Sequence, residues 1–179
     1  MKKIQSNLKL TVILALMCAI SILMGKYLAI RGGEFMRFSL ENMPIIFAAI
    51  AFGPVAGVFV GVVSDLVGCL MVGYTVNPIV TLGAGAIGLS SGIAFLLLKK
   101  IKLDERLNIL LSVAIAHIIG SVIIKTVGLW TYYDIPFEML LLWRVLNYLI
   151  VGILDGAVVY ILLKNKEINR MIMKIGAKK

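Results

Sequence analysis

The sequence predicts an all-α integral membrane protein, a six-transmembrane-helix bundle with both termini in the cytoplasm, and three observations carry that expectation. Hydrophobic residues make up 61% of the 179 residues and the mean hydropathy is +1.03, well above a typical soluble domain. The apolar residues fall into long runs, most of them close to the roughly 20 residues that a helix needs to cross about 30 Å of hydrocarbon. The cations are also unevenly placed. Lys2, Lys3 and Lys9 precede or open the first run. Lys99, Lys100, Lys102 and Arg106 share one loop, and Lys164, Lys166, Arg170, Lys174, Lys178 and Lys179 lie in the tail, against Arg31 and Arg37 in the opposite loops. The positive-inside bias places the first three groups in the cytoplasm, which requires an even number of spans. The net charge of +9 is then topological, and no nucleic-acid partner is expected. A single multi-pass domain, residues 1–179, is expected in the cell (plasma) membrane, with the lipid bilayer as its solvent.

Span one is read at 8–30. Its basic start and apolar middle resemble a signal peptide, but no small-x-small cleavage pattern follows. Within it Ala15-Leu-Met-Cys-Ala19 puts two small residues on one helical face, a shallow groove for another helix. Gly32-Gly33 breaks the helix, and Asn42 with Pro44, which restarts one, has the order of a cap residue followed by a first-turn proline. Span two, 43–52, is only about 15 Å long at 1.5 Å per residue, so it is a short or tilted helix unless it extends back to Phe38. Gly53-Pro54 turns into span three, 54–73, where Gly53, Gly57 and Gly61 recur every four residues. Span four, 78–98, repeats that spacing in Ala84, Gly88 and Gly92, so both helices present smooth faces for close packing. Spans five, 107–130, and six, 139–163, follow, and the basic tail 164–179 is helix-compatible.

This topology gathers Arg37, Tyr74, Asn77, Trp130, Tyr132 and Tyr133 at the external side, with Pro78 beside Asn77. Lys125 and Arg144 lie one to two turns inside, and Asn147 is at i+3 from Arg144. Aromatic rings stack, amides pair with ring edges and an arginine grips a carboxylate through two parallel bonds, so the set suits a planar heteroaromatic ligand with carboxylates. Trp and Tyr also serve as interfacial anchors, and a lysine near a helix end can snorkel. Asp65, His117 and Asp155 fall near the middle of their spans, where an ionised acid costs about 2.5 to 3.5 kcal/mol. They form either structural hydrogen bonds or a proton relay. Cys18 and Cys69 lie inside apolar spans with no metal-ligand spacing, so no metal is expected. The sequence contains no phosphate-binding Gly-x-x-x-x-Gly-Lys-Ser/Thr and no convincing nucleophile–base set, so the chain is not read as an enzyme, and active uptake would need energy from partners.

Three stretches carry a resemblance: Arg37-Phe-Ser-Leu-Glu-Asn-Met-Pro-Ile-Ile-Phe-Ala-Ala-Ile-Ala-Phe-Gly-Pro-Val-Ala-Gly57, Ser64-Asp65-Leu-Val-Gly68 and Asn77-Pro-Ile-Val-Thr-Leu-Gly83. Together they resemble the substrate-binding S components of energy-coupling factor (ECF) vitamin transporters, especially the folate family, over about 8–163. The resemblance implies a high-affinity vitamin site near the external face, closed by loops. It also implies a transmembrane coupling subunit that meets Ala15 and Ala19, and two ATPase subunits that use ATP; the chain itself needs no cofactor. The loaded component would topple in the bilayer and release its vitamin inside. Arg144-Val-Leu-Asn147 resembles the family's basic and amide positions and suits the glutamate tail of folate. Thr75-Val-Asn77-Pro-Ile-Val-Thr81 stands where folate-family members often carry Tyr/Phe-Phe-Pro-Gly-Phe-Thr, so the pterin-side contacts are not carried over. The ligand-binding set is therefore Arg37, Tyr74, Asn77, Pro78, Lys125, Trp130, Tyr132, Arg144 and Asn147. Alternatives are an S component for a flavin, thiamin or a queuosine precursor, or a proton-coupled carrier using Asp65, His117 and Asp155.

Overall fold

A computed structural model describes residues 2–31, 37–133 and 136–176. The expected Gly32-Gly33 break lies outside the described residues. Helix α1 (Lys2–Ile22) runs into a π-helical turn, Leu23–Tyr27, and two-residue strands β1 (Ile30–Arg31) and β2 (Arg37–Phe38) pair antiparallel, Arg31 opposite Arg37. Then come α2 (Asn42–Phe52), α3 (Pro54–Met71), α4 (Pro78–Lys100) and α5 (Glu105–Ala116). A π-helical segment, His117–Ile124, joins α5 to α6 (Lys125–Tyr133), and α7 (Phe137–Lys164) and α8 (Lys166–Gly176) complete the chain. Among the described residues, five helical stretches are long and apolar enough to cross a membrane, with α5, its π segment and α6 counted as one.

The remaining expected span, span two, is α2, and it does not extend back to Phe38, because β2 occupies that residue. Its 11 residues are enclosed by other helices: Asn42 to Ala49 are all buried, with Ile46 and Ala48 fully so. A helix walled by protein need not match the thickness of the bilayer. The expected cap at Asn42 is also displaced. Glu41 is the flanking residue and caps nothing with its side chain, while Asn42 lies inside the helix. The cap-then-proline order is realised at Asn77-Pro78, where Asn77 Oδ1 accepts from the N–H groups of Ile79 and Val80 at 3.0 and 3.2 Å.

The small-residue stripes of α3 and α4 meet face to face. A Cβ on Gly57 would lie 2.9 Å from Gly88 Cα, one on Gly92 would lie 2.7 Å from Pro54 Cα, and Gly61 abuts the Ala84 carbonyl. These pairings ascend on α3 as they descend on α4, so the two helices are antiparallel. Gly53 instead makes the α2–α3 turn at φ +104°, a backbone region glycine adopts without strain. The π segment faces α7 in the same antiparallel sense, with Ser121 beside Arg144 and His117 beside Asp155. Lys26, Asn77 and Lys125 thus gather at one end of the bundle, while Gly53, the α4–α5 turn and α8 lie at the other. The outward faces stay apolar, as along Leu8, Val12 and Leu16 of α1, each more than half exposed, which suits hydrocarbon.

Candidate functional site

A cavity of about 240 Å³ opens where α1's π turn, β2, the α3–α4 turn, α6 and α7 converge. Its walls carry four cationic side chains, Lys26, Arg37, Lys125 and Arg144, against two acids, Glu41 and Asp65. Glu41 is the electrostatic hub. One carboxylate oxygen lies 3.3 Å from Lys125 Nζ and the other 3.2 Å from Arg37 Nη2. Arg37 also donates to the Gly25 carbonyl, and Ser21 Oγ donates to the Glu41 carbonyl at 2.7 Å. Gly25 allows this approach, since a Cβ there would lie 2.5 Å from Glu41 Oε2. Burial pushes the Glu41 carboxyl up, but the charges of Lys125, Arg37 and Lys26 outweigh that and hold it at about 2. Lys125 itself is only 5% exposed, so its ammonium depends on Glu41 for compensation.

The opposite wall is α7. Arg144 Nε donates to the Ser121 carbonyl at 2.9 Å and its guanidinium lies 5.4 Å from the Tyr148 ring centroid. Tyr148 stacks in turn on His117, with centroids 4.9 Å apart at 27°. His117 is bonded to Asp155 Oδ2 at 3.0 Å and to Ser121 Oγ at 3.3 Å. Arg144 is thereby fixed from two sides before any ligand arrives. Asn147 Nδ2 donates to the Arg37 carbonyl at 2.9 Å, whereas its buried Oδ1 has no partner among the described residues. A buried, unpaired acceptor on a cavity wall is ready for a ligand donor. The third wall carries Tyr74, with the Lys26 ammonium 5.7 Å from its ring centroid, and Cys69, whose sulfur is 3.5 Å from the same ammonium.

Of the residues expected from the sequence, the fold brings Arg37, Tyr74, Asn77, Lys125, Arg144 and Asn147 to this cavity. Asn77 reaches it with its side chain committed, capping α4 and donating to the Gly128 carbonyl at 2.8 Å. Pro78, Trp130 and Tyr132 are not on its wall. Pro78 is the exposed first residue of α4. Trp130, half exposed, meets Phe137 edge-on at 5.7 Å, and Tyr132 is likewise half exposed. Asp134 lies outside the described residues, as does the side chain of Tyr133. The site residues that were not anticipated include Lys26, Glu41, Cys69 and Tyr148. A lone acid at the cation-bearing start of α2 was the available signal for Glu41. Lys26 and Lys125 owe their placement to the two π segments, which shift the helical register and leave no mark in sequence periodicity.

The mid-span acids separate into two environments. Asp65 Oδ2 accepts from Thr81 Oγ1 at 2.6 Å and lines the cavity, whereas His117 and Asp155 are 2% and 0% exposed and bond each other. Tyr148 intervenes between that pair and the cavity. Below the cavity a chamber of about 20 Å³, bordered by Ser21, Asn42, Ser64 and Asp65, is large enough for one water molecule. It adjoins the fully buried Asn42 amide, neither polar atom of which has a partner among the described residues. On the outer surface, Ala15 and Ala19 are exposed along an apolar groove between α1 and α3 that also takes in Phe59, Val63 and Val67.

Comparisons with known proteins bear on this arrangement. Residues 9–163 match the family model described as ECF transporter, substrate-specific component. No curated protein matches the chain. Among solved structures, the S component of a bacterial ECF transporter is 18% identical with a TM-score of 0.68, covering 88% of this chain and 95% of that one. FolT bound with folic acid is 18% identical, TM-score 0.66, covering 84% and 89%. An S component for biotin is 19% identical, TM-score 0.66, covering 90% and 94%. At such identities the likeness speaks for the fold.

Proposed function

Since this chain belongs to the family of ECF-transporter substrate-specific components, we propose that it is the membrane-embedded vitamin-binding subunit of an ECF-type importer and that its vitamin is folate. The observation that carries the folate reading is the charge of the cavity. Four cations face two carboxylates, a formal excess of two positive charges that a planar ligand with two carboxylates would neutralise. Arg144 is the proposed carboxylate grip. Tyr74, Trp143 and Tyr148 supply the aromatic faces, and Asn147 Oδ1 is the proposed acceptor for a ring N–H. Thiamin, a cation, fits this field poorly, and a flavin without a carboxylate leaves the excess uncompensated.

In this reading six helices cross the membrane with both termini in the cytoplasm, and the cavity faces outward. The groove along Ala15 and Ala19 receives a transmembrane coupling subunit, whose two ATPase partners use the ATP. The chain performs no covalent chemistry. The proton-coupled alternative draws less support, because Asp65 bonds Thr81 and stands apart from the closed His117–Asp155 pair.

The test is tryptophan fluorescence of the purified protein titrated with folate, with biotin, riboflavin and thiamin as competitors. Folate should quench with one-to-one saturation, and Trp143→Phe should remove most of the signal because Trp143, not Trp130, lines the cavity. Arg144→Ala should weaken binding about tenfold or more, the scale of one charge-assisted carboxylate contact. Saturation by biotin or thiamin with no response to folate would overturn the assignment of the vitamin.

A further inference from the structure

The end of the bundle opposite the cavity carries a second cation cluster that vitamin capture does not use. Arg106, in the first turn of α5, and Lys164, the last residue of α7, converge on one phenol. Arg106 Nε donates to Tyr160 Oη at 3.0 Å and Lys164 Nζ donates to it at 3.2 Å. Both charged groups also lie over the ring, 5.4 and 5.5 Å from its centroid. Two like charges drawn to one atom repel each other, and a phenol does not neutralise them. Among the described residues neither forms a salt bridge. The nearby Asp104 carboxylate instead caps α5, accepting from the Arg106 backbone N–H at 3.2 Å.

Donor chemistry indicates what would complete the cluster. Because Tyr160 Oη accepts from both cations, its own O–H proton remains to be donated outward. A guanidinium, an ammonium and a hydroxyl then point donors toward one region, an arrangement suited to an anion with several acceptor oxygens, above all a phosphate. The surroundings favour a lipid over a soluble ion. Leu107 and Ile161, each next in the chain to a site residue, are 51% and 65% exposed, an apolar flank of the kind that acyl chains cover. Helix α8 continues the positive edge with the exposed Lys166 and Lys174, while Arg170 between them is paired with Glu167 at 3.0 Å. Its Ile168 and Ile172 pack against the core and Ile175 is buried, so α8 is held on the bundle as an amphipathic helix with a basic flank.

We propose that Arg106, Tyr160 and Lys164 form a binding site for the phosphate of an anionic phospholipid, its acyl chains lying along Leu107 and Ile161. The site lies on the cytoplasmic side in the topology proposed above and would hold that end of the bundle at the headgroup level.

Native mass spectrometry of the full-length protein, given equal amounts of phosphatidylglycerol and phosphatidylcholine, tests this. The unmodified protein should retain phosphatidylglycerol in preference, and the double variant Arg106→Gln, Lys164→Gln should lose that preference by about tenfold. Tyr160→Phe, which keeps both cations, should lose about threefold, and the charge-preserving pair Arg106→Lys, Lys164→Arg should keep most of it. Unchanged thermal unfolding would show that the neutral variants still fold. Undiminished phosphatidylglycerol retention in the folded double variant would overturn the proposal. Displacement of the lipid by inorganic phosphate, but not by chloride at matched ionic strength, would overturn it in favour of a soluble-phosphate site. Unaltered lipid retention with lost co-purification of the ATPase subunits would assign the cations to a protein partner instead.

Discussion

Helices α3 and α4 build two regions with opposite requirements. Over Gly57, Gly61, Ala84 and Gly88 they touch backbone to backbone, and each glycine contact would be blocked by a single added carbon. One to two turns further along, α3 carries Asp65 and Cys69, and α4 with its cap carries Val80 and Asn77, all on the cavity wall, with Asp65 and Thr81 bonded across the gap. The seam is held by van der Waals contact between small residues, the usual means of association where no water is available to drive it. The cavity is held by charge. Shape therefore limits substitution in the first region and electrostatic balance limits it in the second.

The sharpest break of this comparison is Gly88→Leu. A Cβ at Gly88 would overlap the Gly57 backbone, so the helices must separate, and overpacking of this kind costs about 3 kcal/mol or more. Loss of monodisperse protein in detergent and loss of vitamin binding are expected together. A stable Gly88→Leu protein that still binds would show that the seam does not set the cavity.

The seam was legible in the sequence and much of the cavity was not, for a physical reason. Small residues every four positions mark a helix face whatever lies opposite, so the stripes on α3 and α4 could be read before their pairing was known. The spans were visible in hydropathy to within a few residues, as for α4, expected over 78–98 and found at Pro78–Lys100. The cavity depends on contacts between residues far apart in the chain. Lys125 meets Glu41 across 84 positions and Asn147 meets the Arg37 carbonyl across 110. Arg37, Lys125, Arg144 and Asn147 could be nominated by type and by estimated depth. The role of Glu41 as the hub and the inward turn of Lys26 could not, because a lone acid beside a cation marks a candidate while neither periodicity nor charge counting reports what a side chain faces.

Glu41→Gln probes the electrostatic half of the comparison. It leaves Lys125, 5% exposed, without its counter-charge. Breaking a fully buried pair costs about 3 to 5 kcal/mol, and Glu41, with a side chain 21% exposed, should cost somewhat less, about 2 to 3 kcal/mol. A dianionic ligand supplies part of the missing charge, so if folate is the vitamin, as proposed, it should raise the Tm of the variant more than that of the unmodified protein. The pH dependence has a definite sign. The folded-state value near 2 lies below the ordinary 4.5, so this contribution is complete above 4.5 and is lost as the pH falls through about 2. Acid unfolding of the unmodified protein should show that leg and Glu41→Gln should lack it. Equal ligand shifts in the two proteins would remove Glu41 from the hub.

The smallest expected effect sharpens the boundary of the site. Asp155 is fully buried, bonded to His117 through one oxygen, while its other oxygen has no partner among the described residues. Asp155→Asn keeps an acceptor for His117 and nearly the same shape, so stability should shift by about 1 kcal/mol and the affinity for the proposed vitamin by less than about threefold. Asp155→Leu leaves His117 without that bond, in a wall that also positions Tyr148 and Arg144, and should cost more, about 2 kcal/mol, with a measurable loss of affinity. A proton relay predicts that Asp155→Asn is as damaging to transport as Asp155→Leu, because neither side chain can carry a proton between water and His117, while Asp155→Asn leaves binding intact. Vitamin uptake by the complete transporter in vesicles without a pH gradient separates the two: continued uptake by Asp155→Asn makes the buried pair a support for the cavity wall, and its abolition with binding intact would make the pair part of the transport cycle.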